Sequence, residues 1–231
     1  MESWYSIPGF YDPMSSLSHL VGTALFFLLT PFLLWSARGS KRNVWFCVLF
    51  ACSVLLSLTM SFVYHMMAVG GTARAVMLRL DVAAIFLLIA CTFTAMHGIL
   101  FVGWRRWAMI LLLWTIAVTG ITLRTIFFNS IPSIIGDGIF LLMGWVGVYS
   151  CWLLYQQYQW RSLVPIVLGG VFYSLGAIIN AQGGLILIDK VWGPHETFHL
   201  FVLAGIGAHW AFIWRIADRR SAAKLKLQTE P

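Results

Sequence analysis

Seven long apolar segments, separated by short polar breaks, run along the chain. They cover approximately residues 17–36, 44–67, 79–100, 107–123, 134–155, 163–181 and 196–216. Each is close to the roughly 20 residues that a helix needs to cross the hydrocarbon core of a bilayer. A helix also satisfies its backbone hydrogen bonds internally, as lipid requires. The pattern therefore predicts an all-α polytopic membrane protein with seven transmembrane helices in one bundle.

The polar segments at the two ends set the predicted domain boundaries. We expect an N-terminal tail over residues 1–16, a seven-helix membrane domain over residues 17–216, and a basic C-terminal tail over residues 217–231. The sequence contains no internal repeat and no long linker between the apolar segments. A single membrane domain is therefore the simplest organisation.

The composition excludes a soluble globular domain and a disordered chain. Hydrophobic residues make up 60% of the 231 residues, charged residues only 10%, and the mean hydropathy is +0.85. Soluble domains carry about 25% charged residues. The net charge of +7 does not indicate nucleic-acid binding, because no basic stripe with interleaved aromatic residues is present. We expect membrane lipids and a lipid-like substrate as partners, and the sequence identifies no protein partner.

The basic residues are distributed unequally between the two sides of the predicted bundle. With seven spans the termini lie on opposite sides, and eleven of the fifteen Lys and Arg residues fall on the C-terminal side. Basic loops are enriched on the cytoplasmic side of membranes. The charge bias therefore predicts a cytoplasmic C-terminus and an N-terminus outside.

Five ionisable residues are predicted at one face of the bundle. His19 begins the first span, His65 ends the second, Asp81 begins the third, and His195 and His199 begin the seventh. Odd spans begin, and even spans end, on the same side of the membrane. Ionisable side chains in a membrane are costly and mark functional sites. This face is therefore the candidate functional site.

The histidines have a spacing that is typical of metal ligands. His195 and His199 are four residues apart, which places both imidazoles on one side of a helix, and His65 can supply a third ligand. Three neutral histidines and one open position make up a catalytic type of zinc site. A simpler interpretation is that these histidines hydrogen-bond to water and lipid headgroups. Their convergence on one face favours a metal.

Asp81 and Ser61 are the candidate catalytic residues beside these ligands. Asp81 can deprotonate a water that a metal has acidified. Alternatively, it forms an ion pair with Arg79 or Arg74. Ser61 lies four residues before His65 on the same helical face, where its hydroxyl either contacts a substrate or bonds to a carbonyl of its own helix.

Residues 195–199 also read HETFH, which matches the HExxH pattern of zinc proteases. In that pattern the glutamate, here Glu196, is the general base. An intramembrane metalloprotease is therefore an alternative. His209, ten residues beyond His199 and about 15 Å deeper along a helix, and His19 complete the polar candidates.

At these residues the chain resembles the hemolysin III group of the progestin and adipoQ receptor family, from about residue 12 to residue 216. A softened form of the family's acidic-xx-Asn-xx-Thr-His motif runs from Asp12 to His19. A Ser-xxx-His motif, SFVYH, ends at His65 and is followed by the aspartate in RLDVAAIFLLIACTFTA. The third motif is His-xxx-His in HETFHLFVLAG, with His209 after it. The sequence departs from the family at Val82, where a histidine is frequent.

The resemblance implies a seven-helix fold that holds a zinc ion through His65, His195 and His199. It implies that Asp81 contacts the water on the zinc and that Ser61 lies beside it. Adiponectin receptors resemble membrane hydrolases and are linked to ceramide hydrolysis. Bacterial members are named for haemolytic activity and are linked to membrane-fluidity homeostasis. The family's usual orientation has a cytoplasmic N-terminus, opposite to the charge bias.

We therefore expect a zinc-dependent hydrolase of a lipid amide or ester, linked to membrane homeostasis, in a bacterial plasma membrane. One alternative is a non-catalytic sensor of membrane state with a structural zinc, and another is a haemolysin-like protein that perturbs membranes. The HExxH protease is the third. The hydrolase requires Asp81, whereas the protease requires Glu196.

Overall fold

A computed structural model of the chain describes residues 7–128, 130–184, 186–188 and 191–218. Within this part of the chain the helices are α1 Pro13–Ala37, α2 Lys41–Met66, α3 Thr72–Leu100, α4 Trp104–Ile126, α5 Ser133–Tyr155, α6 Trp160–Gln182 and α7 Pro194–Ala217. Seven helices in the described ranges are long and apolar enough to cross a membrane. The predicted all-α, seven-span architecture is thereby confirmed. Most of the predicted tail over residues 217–231 lies outside the described residues.

The helix ends follow local chemistry. Pro13 occupies the first turn of α1, where its missing N–H is not needed. The Ser40 hydroxyl caps α2 by accepting from the Asn43 amide. Gly183 ends α6 in the left-handed conformation, with φ of 62°. The α3 helix begins at Thr72, seven residues before residue 79, where the third apolar segment was predicted to start. Its first two turns therefore precede the apolar segment.

The order of helix packing brings distant parts of the chain together. Helices α1 to α4 pack in sequence, α6 lies along α7, and α7 returns to contact α1, α2 and α3. Helix α5 contacts α3, α4 and α6. The start of α1, the end of α2 and the starts of α3 and α7 therefore share one face of the bundle.

Apolar residues fill the centre of the bundle and also cover its outside. Fully buried side chains include Leu33, Phe50, Leu58, Leu113, Met143, Leu154, Ile206, Ile213 and Ile216. Large apolar side chains such as Phe27 and Leu142 are 65% and 72% exposed. Such exposed apolar surface is unusual in soluble monomers. It is the surface that a lipid bilayer covers.

Two glycines allow close helix contacts. A β-carbon on Gly22 of α1 would overlap Cδ2 of Leu203 on α7, and one on Gly169 of α6 would overlap the ring of His209. Small residues of this kind let membrane helices approach closely. They hold α7 against both α1 and α6.

Separate polar contacts join helices at the end of the bundle opposite to the starts of α1 and α7. His97, which is fully buried, contacts the Ser150 hydroxyl through Nε2 at 2.9 Å and the Arg105 carbonyl oxygen through Nδ1 at 3.2 Å. Asn43 donates from Nδ2 to the Ala217 carbonyl oxygen at 3.0 Å. Each contact gives a buried polar group the hydrogen-bond partner that it needs in the protein interior.

Candidate metal centre

Three imidazoles converge where the end of α2 meets the start of α7. Nε2 of His195 lies 3.3 Å from Nε2 of His65 and 3.2 Å from Nε2 of His199. One ligand atom from each of the three histidines lies within 4.8 Å of the others. His65 and His199 are buried and His195 is partly buried. Helix packing therefore assembles in space the three ligands that the spacing predicted.

The other nitrogen of each ring faces an oxygen. His65 Nδ1 lies 3.2 Å from Oδ2 of Asp12, and His195 Nδ1 lies 3.1 Å from Oδ1 of Asn180. His199 Nδ1 lies 3.2 Å from the carbonyl oxygen of Ser15. Because a carboxylate or carbonyl oxygen accepts a hydrogen bond, each Nδ1 carries the proton in a neutral ring. The three Nε2 atoms then present lone pairs to one another.

This arrangement fits a bound metal ion. Three lone pairs at such short separations repel one another unless a cation lies between them. Histidine ligands in metalloproteins characteristically donate their second N–H to a carboxylate or a carbonyl oxygen, which fixes the tautomer and the ring orientation. All three rings have such a partner, so the donor set suits a divalent transition metal that accepts imidazole nitrogen.

Asp12 connects His65 to Arg74. Oδ2 of Asp12 accepts from Nη2 of Arg74 at 2.9 Å as well as from His65. Burial raises the pKa of the Asp12 carboxyl, but the hydrogen bonds from His65 and Arg74 outweigh burial and hold that pKa below its usual value. The carboxylate therefore stays ionised at neutral pH. Arg74 also donates to the carbonyl oxygen of Met67.

Asp81 and Ser61, the candidate catalytic residues, lie near His65. Ser61 is buried one helical turn before His65, and the Asp81 carboxyl lies close enough to Ser61 and His65 to interact with both side chains. The alternative ion partners of Asp81 are engaged elsewhere in the described structure. Arg74 pairs with Asp12, and the Arg79 guanidinium lies 5.7 Å from the centre of the Phe128 ring.

Glu196 is engaged at both carboxylate oxygens. Oε1 accepts from the Ser15 hydroxyl at 2.9 Å, and Oε2 accepts from the Gly193 amide at 2.9 Å. The second contact closes the first turn of α7, as a glutamate three residues after the cap does in a capping box. Glu196 thereby links the start of α7 to the start of α1.

The two further histidine candidates occupy different surroundings. His19 stacks on His199 with ring centres 3.9 Å apart, and neither of its buried ring nitrogens has a hydrogen-bond partner within the described structure. His209 lies deeper between α6 and α7, where Nε2 is 3.3 Å from the Ile166 carbonyl oxygen and its ring packs against Gly169. His19 therefore borders the metal centre, whereas His209 belongs to a helix interface.

The sequence pattern did not single out Asn180 and left Arg74 as an alternative partner of Asp81. Asn180 is an amide near the end of the otherwise apolar α6, on the same side of the membrane as the end of α2. Even-numbered spans end on the same side of the membrane as His65. The position of Asn180 near the end of the sixth span could therefore have included it among the candidate site residues. The pairing of Arg74 with Asp12 has no comparable signal, because it depends on how the segment before α1 folds back.

Comparisons with known proteins agree with this architecture. The family model described as "Haemolysin-III related" matches residues 11–210. "Hemolysin-3" of Bacillus cereus is 32% identical over 126 residues, which is 54% of each chain. "Hemolysin-3 homolog" of Bacillus subtilis (strain 168) is 26% identical over 196 residues, which cover 84% of this chain and 88% of the relative. The match thus spans about half of the first relative and most of the second.

Proposed function

Because the chain belongs to the haemolysin-III related family and carries three converging imidazoles, we propose that it is a zinc-dependent membrane hydrolase of a lipid amide or ester. The observation that carries this proposal is the set of three Nε2 atoms that face one another, with separations of 3.2 and 3.3 Å from His195. Tetrahedral zinc with nitrogen ligands at about 2.0–2.1 Å separates those nitrogens by roughly 3.3 Å. The two separations from His195 are therefore compatible with zinc.

His65, His195 and His199 would hold the zinc through their Nε2 atoms. When bound, zinc polarises a carbonyl group and lowers the pKa of a coordinated water to about 7. Three protein ligands leave the fourth position of a tetrahedral ion open, which distinguishes catalytic from structural zinc sites. The donor set therefore supports catalysis.

Asp81 would act as the general base and Ser61 as the group that orients it. The Asp81 carboxylate takes a proton from the attacking water and then delivers it to the leaving amine or alcohol. A hydrogen bond from Ser61 would orient the carboxylate. Neither residue belongs to the three-histidine donor set, so the Asp81 carboxylate remains available for proton transfer.

A non-catalytic sensor of membrane state is the second candidate. The three ligands and their Nδ1 partners come from α2, α6, α7 and the region where α1 begins. A metal there would link these four parts of the bundle without catalysing a reaction. The names of the two Bacillus relatives, "Hemolysin-3" and "Hemolysin-3 homolog", also support a membrane-perturbing role as a candidate.

The contacts of Glu196 argue against an intramembrane protease. Both Glu196 oxygens accept hydrogen bonds, from Ser15 and Gly193, and these contacts hold the carboxylate between the starts of α1 and α7. Those contacts support a capping role for Glu196.

Membrane lipids are the proposed substrates and surroundings. The bundle exposes apolar surface to the bilayer, so a lipid can reach a site near one end of the helices from the side. The bacterial relatives support a bacterial plasma membrane as the location. The charge bias still predicts an outside N-terminus, and the family resemblance still predicts a cytoplasmic one.

The proposal is tested with full-length protein reconstituted in lipid vesicles, loaded with zinc, and supplied with fluorescent ceramide-type amides and glycerolipid esters. We expect hydrolysis by the wild-type protein and a loss of at least about 100-fold in Asp81→Asn, a loss typical of removing a general base. Zinc content should be equal in the two proteins. Zinc-loaded wild-type protein that cleaves none of these lipids would support the sensor instead.

A further inference from the structure

The segment at the start of α1 supplies the oxygen partners of two metal ligands. Oδ2 of Asp12 faces Nδ1 of His65 at 3.2 Å, and the Ser15 carbonyl oxygen faces Nδ1 of His199 at 3.2 Å. These two oxygens lie within four residues of each other in the sequence, although their histidines lie on α2 and α7. One short segment thus orients ligands on two different helices.

The same segment is attached to the end of α2 by backbone contacts. The Tyr11 amide donates to the Met66 carbonyl oxygen at 3.2 Å, and the Asp12 amide donates to the His65 carbonyl oxygen at 2.9 Å. The main chain of Asp12 is therefore bound to the same residue that its carboxylate contacts. This double attachment fixes the carboxylate relative to the imidazole.

Arg74 of α3 holds the segment from the other side. Its Nη2 donates to Oδ2 of Asp12 at 2.9 Å, and its guanidinium carbon lies 4.6 Å from the centre of the Tyr11 ring and 4.7 Å from that of Tyr64. A guanidinium over an aromatic face is a favourable contact. Asp12 therefore makes an ion pair with Arg74, a backbone hydrogen bond to His65 and a side-chain contact with the His65 imidazole.

We infer that residues 11–15, hereafter the N-terminal clamp, position the metal ligands, and that Asp12 is the positioning residue for His65. The inference rests on the proposed metal binding and adds a coupling to it: the centre binds metal tightly only when the N-terminal clamp is seated. Because linkage is reciprocal, bound metal must hold the clamp in place by the same factor.

The physical basis is the tautomer and orientation of His65. The Asp12 carboxylate accepts the Nδ1 proton, which leaves the Nε2 lone pair directed at the other two histidines. Its negative charge also makes the imidazole a stronger electron donor. Loss of such a partner typically weakens metal affinity 10- to 100-fold.

The test measures zinc affinity of full-length protein in detergent by competition with a chromophoric chelator. We expect Asp12→Ala to weaken zinc binding by about 10- to 100-fold. Asp12→Asn, which keeps an oxygen near Nδ1 but loses the charge, should lose less. The matched control is Thr30→Ala, which removes a hydroxyl that bonds within α1, to the Phe26 carbonyl oxygen. Its zinc affinity should equal that of the wild type.

Arg74→Gln separates the imidazole contact from the ion pair. It removes the partner of Asp12 on α3 but leaves the carboxylate beside His65, so we expect a smaller loss of zinc affinity than in Asp12→Ala. An equal loss in the two variants would overturn the positioning role, because the ion pair alone would then explain it. Cobalt(II) absorption provides a second readout, since a displaced His65 alters the ligand field.

Hydrogen exchange tests the reciprocal half of the inference. The amides of Tyr11 and Asp12, which donate to α2, should exchange more slowly after zinc is added to wild-type protein. The variant His195→Ala/His199→Ala should show no such slowing. If wild-type protein and Asp12→Ala bind zinc with the same affinity, the role of the N-terminal clamp is overturned but the proposed function is not. If wild-type protein binds no zinc, the proposed function is overturned.

Discussion

The Ser15 hydroxyl donates a 2.9 Å hydrogen bond to Oε1 of Glu196, although 181 residues separate them in the sequence. This contact joins the first turn of α1 to the first turn of α7. The other carboxylate oxygen holds the Gly193 amide. The glutamate of the HExxH pattern is therefore a structural link between two helices that both border the candidate metal centre.

Exchange of Glu196 for glutamine separates the two proposed chemistries. Glu196→Gln should keep zinc and keep lipid hydrolysis within a few-fold, because the amide retains one oxygen acceptor. It should lower the free energy of unfolding by about 1 kcal/mol through a weakened cap. Asp81→Asn should show the reverse pattern, with stability retained and hydrolysis lost. Both are measured by turnover assay, zinc analysis and thermal unfolding. Loss of lipid hydrolysis in Glu196→Gln but not in Asp81→Asn would identify Glu196 as the general base and would contradict the role of Asp81.

Metal analysis is the direct test of the three-histidine centre. Mass spectrometry of purified wild-type protein should find about one zinc per chain, because three histidines and one open position make up a single site. His195→Ala/His199→Ala should contain none. His209→Gln is the matched histidine control, because His209 contacts the Ile166 carbonyl oxygen between α6 and α7 instead. Equal zinc in the double variant and the wild type would show that the metal binds elsewhere.

The close contact of Gly169 with His209 predicts a strong effect of one methyl group. The β-carbon of Gly169→Ala would overlap the His209 ring, so α6 and α7 must move apart. We expect a loss of about 1–3 kcal/mol in the free energy of unfolding, as overpacking typically causes. Thermal unfolding in detergent measures it. Gly170→Ala is the neighbouring control, since a β-carbon there meets no atom within 4 Å. Equal stability of the two variants would contradict the packing.

The His97–Ser150 pair should stabilise the bundle without affecting the metal. Ser150→Ala leaves the buried Nε2 of His97 without its partner at 2.9 Å, which should lower the free energy of unfolding by about 1–3 kcal/mol. Zinc content should not change, because this pair lies at the opposite end of the bundle. Thr115→Ala, which removes an exposed hydroxyl bonded within α4, is the control and should have wild-type stability. A loss of zinc in Ser150→Ala would reveal coupling between the two ends.

The fold could be predicted from the sequence because the bilayer imposes strict conditions. A segment that crosses lipid must be long, apolar and helical, so the spans follow from hydropathy alone. Alternation of helix direction then assigns every helix end to one side of the membrane. This alternation is sufficient to group His65, His195 and His199 on one face of the bundle, although it cannot supply the distances between their nitrogens.

The detailed contacts of the centre required the tertiary structure. Hydropathy does not encode how each helix is rotated about its axis or how the chain folds back before α1. Those features decide that Asp12 and Asn180 face the Nδ1 atoms of His65 and His195. They also decide that Arg74 pairs with Asp12 instead of Asp81, and that both oxygens of Glu196 are engaged. Local spacing determined which residues share a helix face. Only packing between helices distant in sequence decided which atoms meet, because a change of a few tenths of an ångström in donor–acceptor distance decides whether a hydrogen bond forms.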